Sequence, residues 1–257
     1  MKKQGKLNFK KLILVISITL VAVIASSAIA FKIYASNYYK ADTDMIAEVE
    51  SQDTATVIEY DDDTLLFVPN SEDDVKAGIV FYPGGKVEYT AYSALMYELA
   101  ERGYVCILTR MPENLAFLNI DAASDYSDII SNVSTWYMAG HSLGGVAAGM
   151  YISNLAESSD TMTYDGIILL ASYINKDLSD TDLRLLSIYG SNDTVLDYES
   201  YYSYESNWPS DSTEYVIEGG IHSYFGCYGI QSGDGDPQIT NLEQIEQTAD
   251  IIDDWIA

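Results

Sequence analysis

The stretch Trp136-Tyr137-Met138-Ala139-Gly140-His141-Ser142-Leu143-Gly144-Gly145-Val146-Ala147-Ala148 decides the fold. Its first four residues are continuously apolar, the pattern of a strand buried on both faces. Leu143–Ala156 is rich in small and apolar residues and predicts a helix. Between them Gly140-His141-Ser142-Leu143-Gly144 fits G-x-S-x-G, in which a serine stands on a sharp strand-to-helix turn. The flanking glycines let such a turn pass close to neighbouring backbone. The turn lifts the Ser142 hydroxyl above the sheet and sets the Leu143 amide at a helix N-terminus, where backbone donors lack partners.

Outward from that turn, strand-like and helix-like segments alternate. Thr56–Tyr60 and Thr64–Val68 flank Asp61-Asp62-Asp63 and predict a hairpin. Gly78–Tyr82, Tyr104–Thr109, Thr135–Ala139, Gly166–Leu170, Leu183–Tyr189 and Glu214–Ile217 read as strands. Tyr89–Arg102, Ala122–Ser131 and Asn241–Ile256 read as helices, and Asp197–Asn207 as a further helical stretch. Continuously apolar strands alternating with helices predict an α/β fold, a mainly parallel sheet with helices on both faces. The stretch from Leu170 to Leu183 is too short for a large lid. Short loops therefore wall any pocket: Met111–Asn119, Ala171–Asp182 and Gly226–Asp236. Phe117, Tyr173, Phe225 and Tyr228 either line an apolar acyl site there or pack under the loops.

A serine hydroxyl is a weak nucleophile until a base takes its proton. The chain has two histidines. His141 is the x of the turn itself and points away from the reacting side, which leaves His222, between the last strand and the last helix. An imidazole base needs a carboxylate to orient it. Asp193 follows the strand Leu183–Tyr189 at Gly190-Ser191-Asn192, and Asp197 is the alternative. An oxyanion hole needs two backbone donors. Leu143 supplies one, and Pro83-Gly84-Gly85-Lys86, after an early strand, supplies the other through the amide of Gly85 or Lys86. Gly233-Asp234-Gly235-Asp236-Pro237 lacks the calcium-loop spacing and reads as a turn.

The order Ser142, Asp193, His222 on an alternating β/α chain resembles the α/β-hydrolase superfamily. FYPGGKVEYTAY (81–92), RMPENLAFL (110–118), GHSLGG (140–145), ILLASY (168–173), SIYGSND (187–193) and GGIHSYFGCYGIQSGDG (219–235) together resemble its compact bacterial dienelactone-hydrolase-like "family 5" branch. The resemblance implies Ser142 as nucleophile, Asp193 as acid, His222 as base and Gly84–Lys86 as the oxyanion loop. Dienelactone hydrolases proper carry cysteine at the nucleophile position, so lactone specificity does not transfer.

Hydrophobic residues make up 48% of the 257 residues and charged residues 20%, enough apolar surface for a large core. The net charge of -26 repels phosphate backbones and excludes nucleic acid as a partner. The only cysteines are Cys106 and Cys227, and the only histidines His141 and His222. A zinc site of four cysteines and a metal site of three histidines are therefore both excluded, and no cofactor or metal is expected. All seven lysines of residues 1–40 precede the first acid; beyond them the chain is strongly acidic. Leu12–Phe31 is uncharged and long enough, as a helix, to span about 30 Å of hydrocarbon. The expected organisation is therefore 1–35 as a lysine-rich cytoplasmic start and transmembrane anchor, 36–55 as a stalk, and 56–257 as the hydrolase domain outside the membrane. The alternative is a secreted protein, cleaved after Ala28-Ile29-Ala30.

These readings converge on a membrane-anchored serine hydrolase of carboxylic esters working through an acyl-enzyme, with activity falling on acidification as the base takes up a proton. The alternatives are an acyltransferase on the same triad and a non-catalytic surface protein on the same fold. The acidic field favours neutral small-molecule esters over anionic ones.

Overall fold

The structure, a computed structural model, describes residues 9–71, 75–126, 129, 133–155 and 162–257. The chain divides into two compact units at Asn37. The first holds α1 (Phe9–Ser36), a 28-residue helix long and apolar enough to cross a membrane, a property that anchors and signal sequences share.

The second unit is built on eight strands: β1 (Ala55–Asp61), β2 (Thr64–Pro69), β3 (Ala77–Tyr82), β4 (Tyr104–Thr109), β5 (Trp136–His141), β6 (Tyr164–Leu170), β7 (Arg184–Gly190) and β8 (Asp211–Ile217). They form one sheet in the order β1-β2-β4-β3-β5-β6-β7-β8. β2 runs antiparallel to β1 and β4, and every other pairing is parallel. The helices are α2 (Thr43–Glu50), α3 (Ser93–Glu101), α4 (Leu143–Asn154), α5 (Tyr198–Ser203) and α6 (Asn241–Ile256). Thr240 and Glu243 form a reciprocal capping box that starts α6.

Alternation along the central strands divides their apolar side chains between two cores. Ile79, Phe81, Cys106, Leu108, Tyr137, Ala139, Ile168 and Leu170 face the core shared with α2, α3 and α6. Val80, Tyr82, Val105, Ile107, Met138, Ile167 and Leu169 face the core shared with α4. Burial on both faces explains why these strands read as unbroken apolar runs. The chain leaves β3 in one direction to reach β4, and leaves β5 in the other to reach β6. The sheet thus reverses its strand order between β3 and β5, and the crevice at the carboxyl ends of such a pair is where α/β sheets bind ligands. Gly84–Lys86 follows β3 and Ser142 follows β5.

Three expectations change. The stretch 36–55, expected as a stalk, holds α2, whose Ile46 and Val49 are buried in the core, and from Tyr38 onward it belongs to the second unit. Its apolar residues recur three apart, enough to seat one short helix face. The helix expected over Ala122–Ser131 is instead a 3-10 run from Ile120 to Tyr126. The buried Tyr82 hydroxyl donates to the Ile120 carbonyl at 2.7 Å and accepts the Ala123 N–H at 2.9 Å, taking backbone groups an α-helix needs. Ser127, Asp128, Ile130 and Ser131 of that expectation, and Ala156 of the α4 expectation, lie outside the described residues. Third, Tyr89–Tyr92 is a 3-10 turn before α3 rather than its first turn. Cys106 and Cys227 are buried free thiols, not a disulfide.

Candidate active site

Ser142 sits between β5 and α4 with φ 51° and ψ −123°, a left-handed backbone that costs a residue with a side chain about 1–3 kcal/mol. Four hydrogen bonds hold it there. Its N–H donates to the Leu170 carbonyl at 2.9 Å. Its own carbonyl accepts from the amides of Gly145 (3.0 Å) and Val146 (3.3 Å) and from the Ser172 hydroxyl (2.7 Å). The turn is also too crowded for side chains: a Cβ on Gly144 would strike the carbonyls of Tyr82 and Pro83. Ser142 remains partly exposed, whereas His141 beside it is buried.

His222 opens a 3-10 turn, His222–Phe225, beyond β8. Its Nδ1 lies 2.8 Å from Asp193 Oδ2, and both side chains are buried. A carboxylate only accepts, so Nδ1 is the donor of this pair and Nε2 is the ring nitrogen turned away from Asp193. The second oxygen of Asp193 accepts the amides of Val195 and Leu196, both at 2.8 Å, which orients the carboxylate. Asp197, the alternative acid, instead caps α5 through the Ser200 amide (3.1 Å) and hydroxyl (2.6 Å). The Asp193 and His222 turns are joined directly, because the Asn192 N–H donates to the Gly220 carbonyl at 2.9 Å. From α6, the buried Gln244 accepts the Ile221 N–H at 2.9 Å and donates to the Ile221 carbonyl at 2.8 Å.

Gly85 packs on Leu143: a Cβ on Gly85 would lie 2.7 Å from Leu143 Cδ2. Lys86, the other candidate donor, has its N–H engaged by the Asn114 carbonyl at 2.7 Å. Among the described residues, the amides of Gly85 and Leu143 donate to no protein acceptor. The loop is braced from the segment after α1. Tyr39 N–H donates to the Lys86 carbonyl, and Glu88 N–H to the Tyr39 carbonyl, each at 2.8 Å. The Tyr39 hydroxyl accepts the Ser232 N–H at 3.0 Å, and Asp42 N–H donates to the Cys227 carbonyl at 2.7 Å, linking that brace to the loop beyond His222.

His141 ties these pieces together. Its Nε2 lies 3.1 Å from the His222 carbonyl, and its Nδ1 2.8 Å from the Tyr92 hydroxyl. Burial, and next the electrostatic influence of the neighbouring His222, push the His141 imidazole well below the ordinary histidine range. It is therefore neutral, with Nε2–H donating to the carbonyl and Nδ1 accepting from the Tyr92 O–H. The Tyr92 oxygen in turn accepts the Gly84 N–H at 3.0 Å. One buried relay thus runs from the Gly84–Lys86 loop through Tyr92 and His141 to the His222 turn.

The structure brings Asp193 onto His222 and Gly85 onto Leu143. Phe225 and Tyr228 are buried in the core, so they pack beneath the loops rather than line a pocket. Tyr173 stacks on Tyr204, and Phe117 is exposed at the surface. Sequence reasoning missed Tyr39, Tyr92 and Gln244. Gln244 carried a signal, since it stands beside Ile245 on the inward face of α6, where a polar side chain needs a specific partner.

Residues 78–246 match the profile of the alpha/beta hydrolase family. Among solved structures, Est1E from Butyrivibrio proteoclasticus is similar, with a TM-score of 0.53 and 15% sequence identity, covering 79% of this chain and 97% of that one. No curated protein sequence matches the chain. With an eight-stranded, mostly parallel sheet and a strained serine at the β5–α4 turn, the chain belongs to the alpha/beta hydrolase family.

Proposed function

We propose that the protein hydrolyses carboxylic esters through an acyl-enzyme formed on Ser142. His222 Nε2 takes the Ser142 proton as Oγ attacks the carbonyl carbon. The Leu143 and Gly85 amides hold the resulting oxyanion. The protonated imidazole, stabilised by Asp193, then returns the proton to the leaving alkoxide. Water repeats the sequence and frees the acid. The observation that carries this reading is the buried His222–Asp193 pair, 2.8 Å apart, on a turn hydrogen-bonded to His141 next to the strained Ser142.

The test is Ser142→Ala, which removes ester hydrolysis and fluorophosphonate labelling while the fold persists. Full hydrolysis by that variant would overturn the reading, and ester products formed with an added alcohol would redirect it to acyl transfer. We further propose that α1 is a single-pass anchor with the lysine-rich end in the cytoplasm and the catalytic body outside. The full chain then stays with membranes on alkaline extraction, and a soluble, shortened product contradicts an anchor. With a net charge of -26, neutral esters react faster than matched anionic esters at low salt, and the gap closes as salt rises.

A further inference from the structure

The segment Gly229–Pro237 takes no part in this proton transfer, yet it grips both turns that carry the acid and the base. Asp234 is its centre. Oδ1 accepts the N–H of His222 at 3.2 Å and of Gly235 at 2.9 Å. Oδ2 accepts the N–H of Ser223 at 2.7 Å and also the Ser223 hydroxyl. Ser223 Oγ accepts the Gln231 N–H at 2.9 Å, closing the loop on itself. On the other side, Thr194 Oγ1 donates to the Gly233 carbonyl at 2.7 Å and Asn192 Nδ2 to the Asp236 carbonyl at 2.9 Å. Gly235 rests against the Asn192 carbonyl with no room for a side chain.

The chemistry of Asp234 is that of an acceptor. Both oxygens point at N–H or O–H donors, whose positive ends would have to leave before a cation bound. A 3-10 turn leaves its first amides without partners of its own. At His222 and Ser223 those amides are taken by a carboxylate, which makes stronger, charge-assisted bonds than a neutral acceptor does.

We propose that Asp234 is a positioning residue for the base. By accepting the amides of His222 and Ser223 it sets the backbone from which the imidazole extends, while its loop locks the Asp193 turn onto the His222 turn. This rests on His222 being the base and Asp193 its partner. Both Asp234 oxygens are taken up by donors of the protein itself, so loosening the clamp displaces the base and lowers the rate of the chemical steps rather than removing a substrate contact.

Asp234→Asn keeps the size of the side chain but turns an NH2 toward N–H donors. In the full chain this variant is expected to lower kcat about 10–100-fold, the scale of a displacement near 1 Å in a reacting group, with KM within about twofold. Fluorophosphonate labelling of Ser142 slows in step. Glu218→Gln, which removes an exposed charge at the end of β8, leaves kcat unchanged. Should Asp234→Asn fail to fold, Ser223→Ala carries the test, with a smaller kcat loss of about 3–10-fold. Wild-type kcat in the deciding variant, beside an inactive His222→Ala, overturns the inference and leaves the base assignment standing. An active His222→Ala removes the base assignment itself. A change confined to KM, or an equal loss in Glu218→Gln, also overturns the positioning role. So does a calcium-dependent rise in Tm that Asp234→Asn abolishes, which would make the loop a cation site.

Discussion

The turn bearing Ser142 and the turn bearing His222 are held in place by different physics. The Ser142 turn is set mainly by backbone, with one side chain, the Ser172 hydroxyl, bonded to its carbonyl. Its strained residue is fixed by β6, by the first turn of α4 and by glycines that let α4 approach the end of β3. The His222 turn is set by side chains. Asp193, Gln244 and His141 each reach it from a different element, through the ring, the residue before it and its carbonyl. Backbone strain persists only where the surroundings over-determine it. An irregular loop has no ladder of its own, so its position is only as good as the side chains that satisfy it.

Four substitutions break or sharpen this contrast. The largest effect is expected at Asp193→Asn, which keeps the shape but removes the carboxylate from His222 Nδ1 and the charge that stabilises the imidazolium. A kcat loss of about 10^3–10^4-fold is expected in steady-state ester hydrolysis. A loss under tenfold would mean that the base is oriented by something else. Next is Gln244→Ala, which leaves the buried N–H and carbonyl of Ile221 without partners. It should destabilise the protein by about 1–3 kcal/mol per orphaned group in urea unfolding and lower kcat about tenfold. Unchanged kcat would show that the His222 turn holds without α6.

Gly144→Ala addresses the other turn. Its Cβ collides with the Tyr82 and Pro83 carbonyls, and an overpacking cost of about 1–3 kcal/mol is expected, read as a lower midpoint of unfolding. A neutral result would contradict the close approach of α4 to β3. The smallest effect is a slope. His141 is held neutral, its folded pKa depressed by burial, while the unfolded chain takes up a proton as pH falls through about 6.5. In that window the unfolded state binds more protons, so stability falls on acidification, by at most about 1.4 kcal/mol per pH unit for this one group. His141→Gln should flatten the dependence of Tm on pH between about 7 and 5 relative to the parent. Identical slopes would place His141 in contact with solvent.

The region before β1 shows why parts of the chain were illegible. Tyr39 sits in a polar, acidic stretch without strong periodicity, and its bonds to the backbone of Lys86, Glu88 and Ser232 join residues far apart in sequence. Nothing local marks them. The 3-10 run over Ile120–Tyr126 was equally hidden, because a helical pattern was overridden by the hydroxyl of Tyr82, which lies 38 residues from Ile120. Equally non-local are the Asn114 carbonyl that engages the Lys86 amide and the arrangement in which Asp193 faces the His222 imidazole while Asp197 caps a helix.

Sequence alone determined the α/β class, the serine on its strand-to-helix turn and a short list of candidate acid, base and donor residues. Those follow from periodicity, glycine placement and residue chemistry within a few positions of each other. Tertiary structure decided which candidate touches which. Hydrogen bonds act over about 3 Å, and only the folded sheet brings Tyr92 to His141 and Gln244 to Ile221, which lie 49 and 23 residues away along the chain.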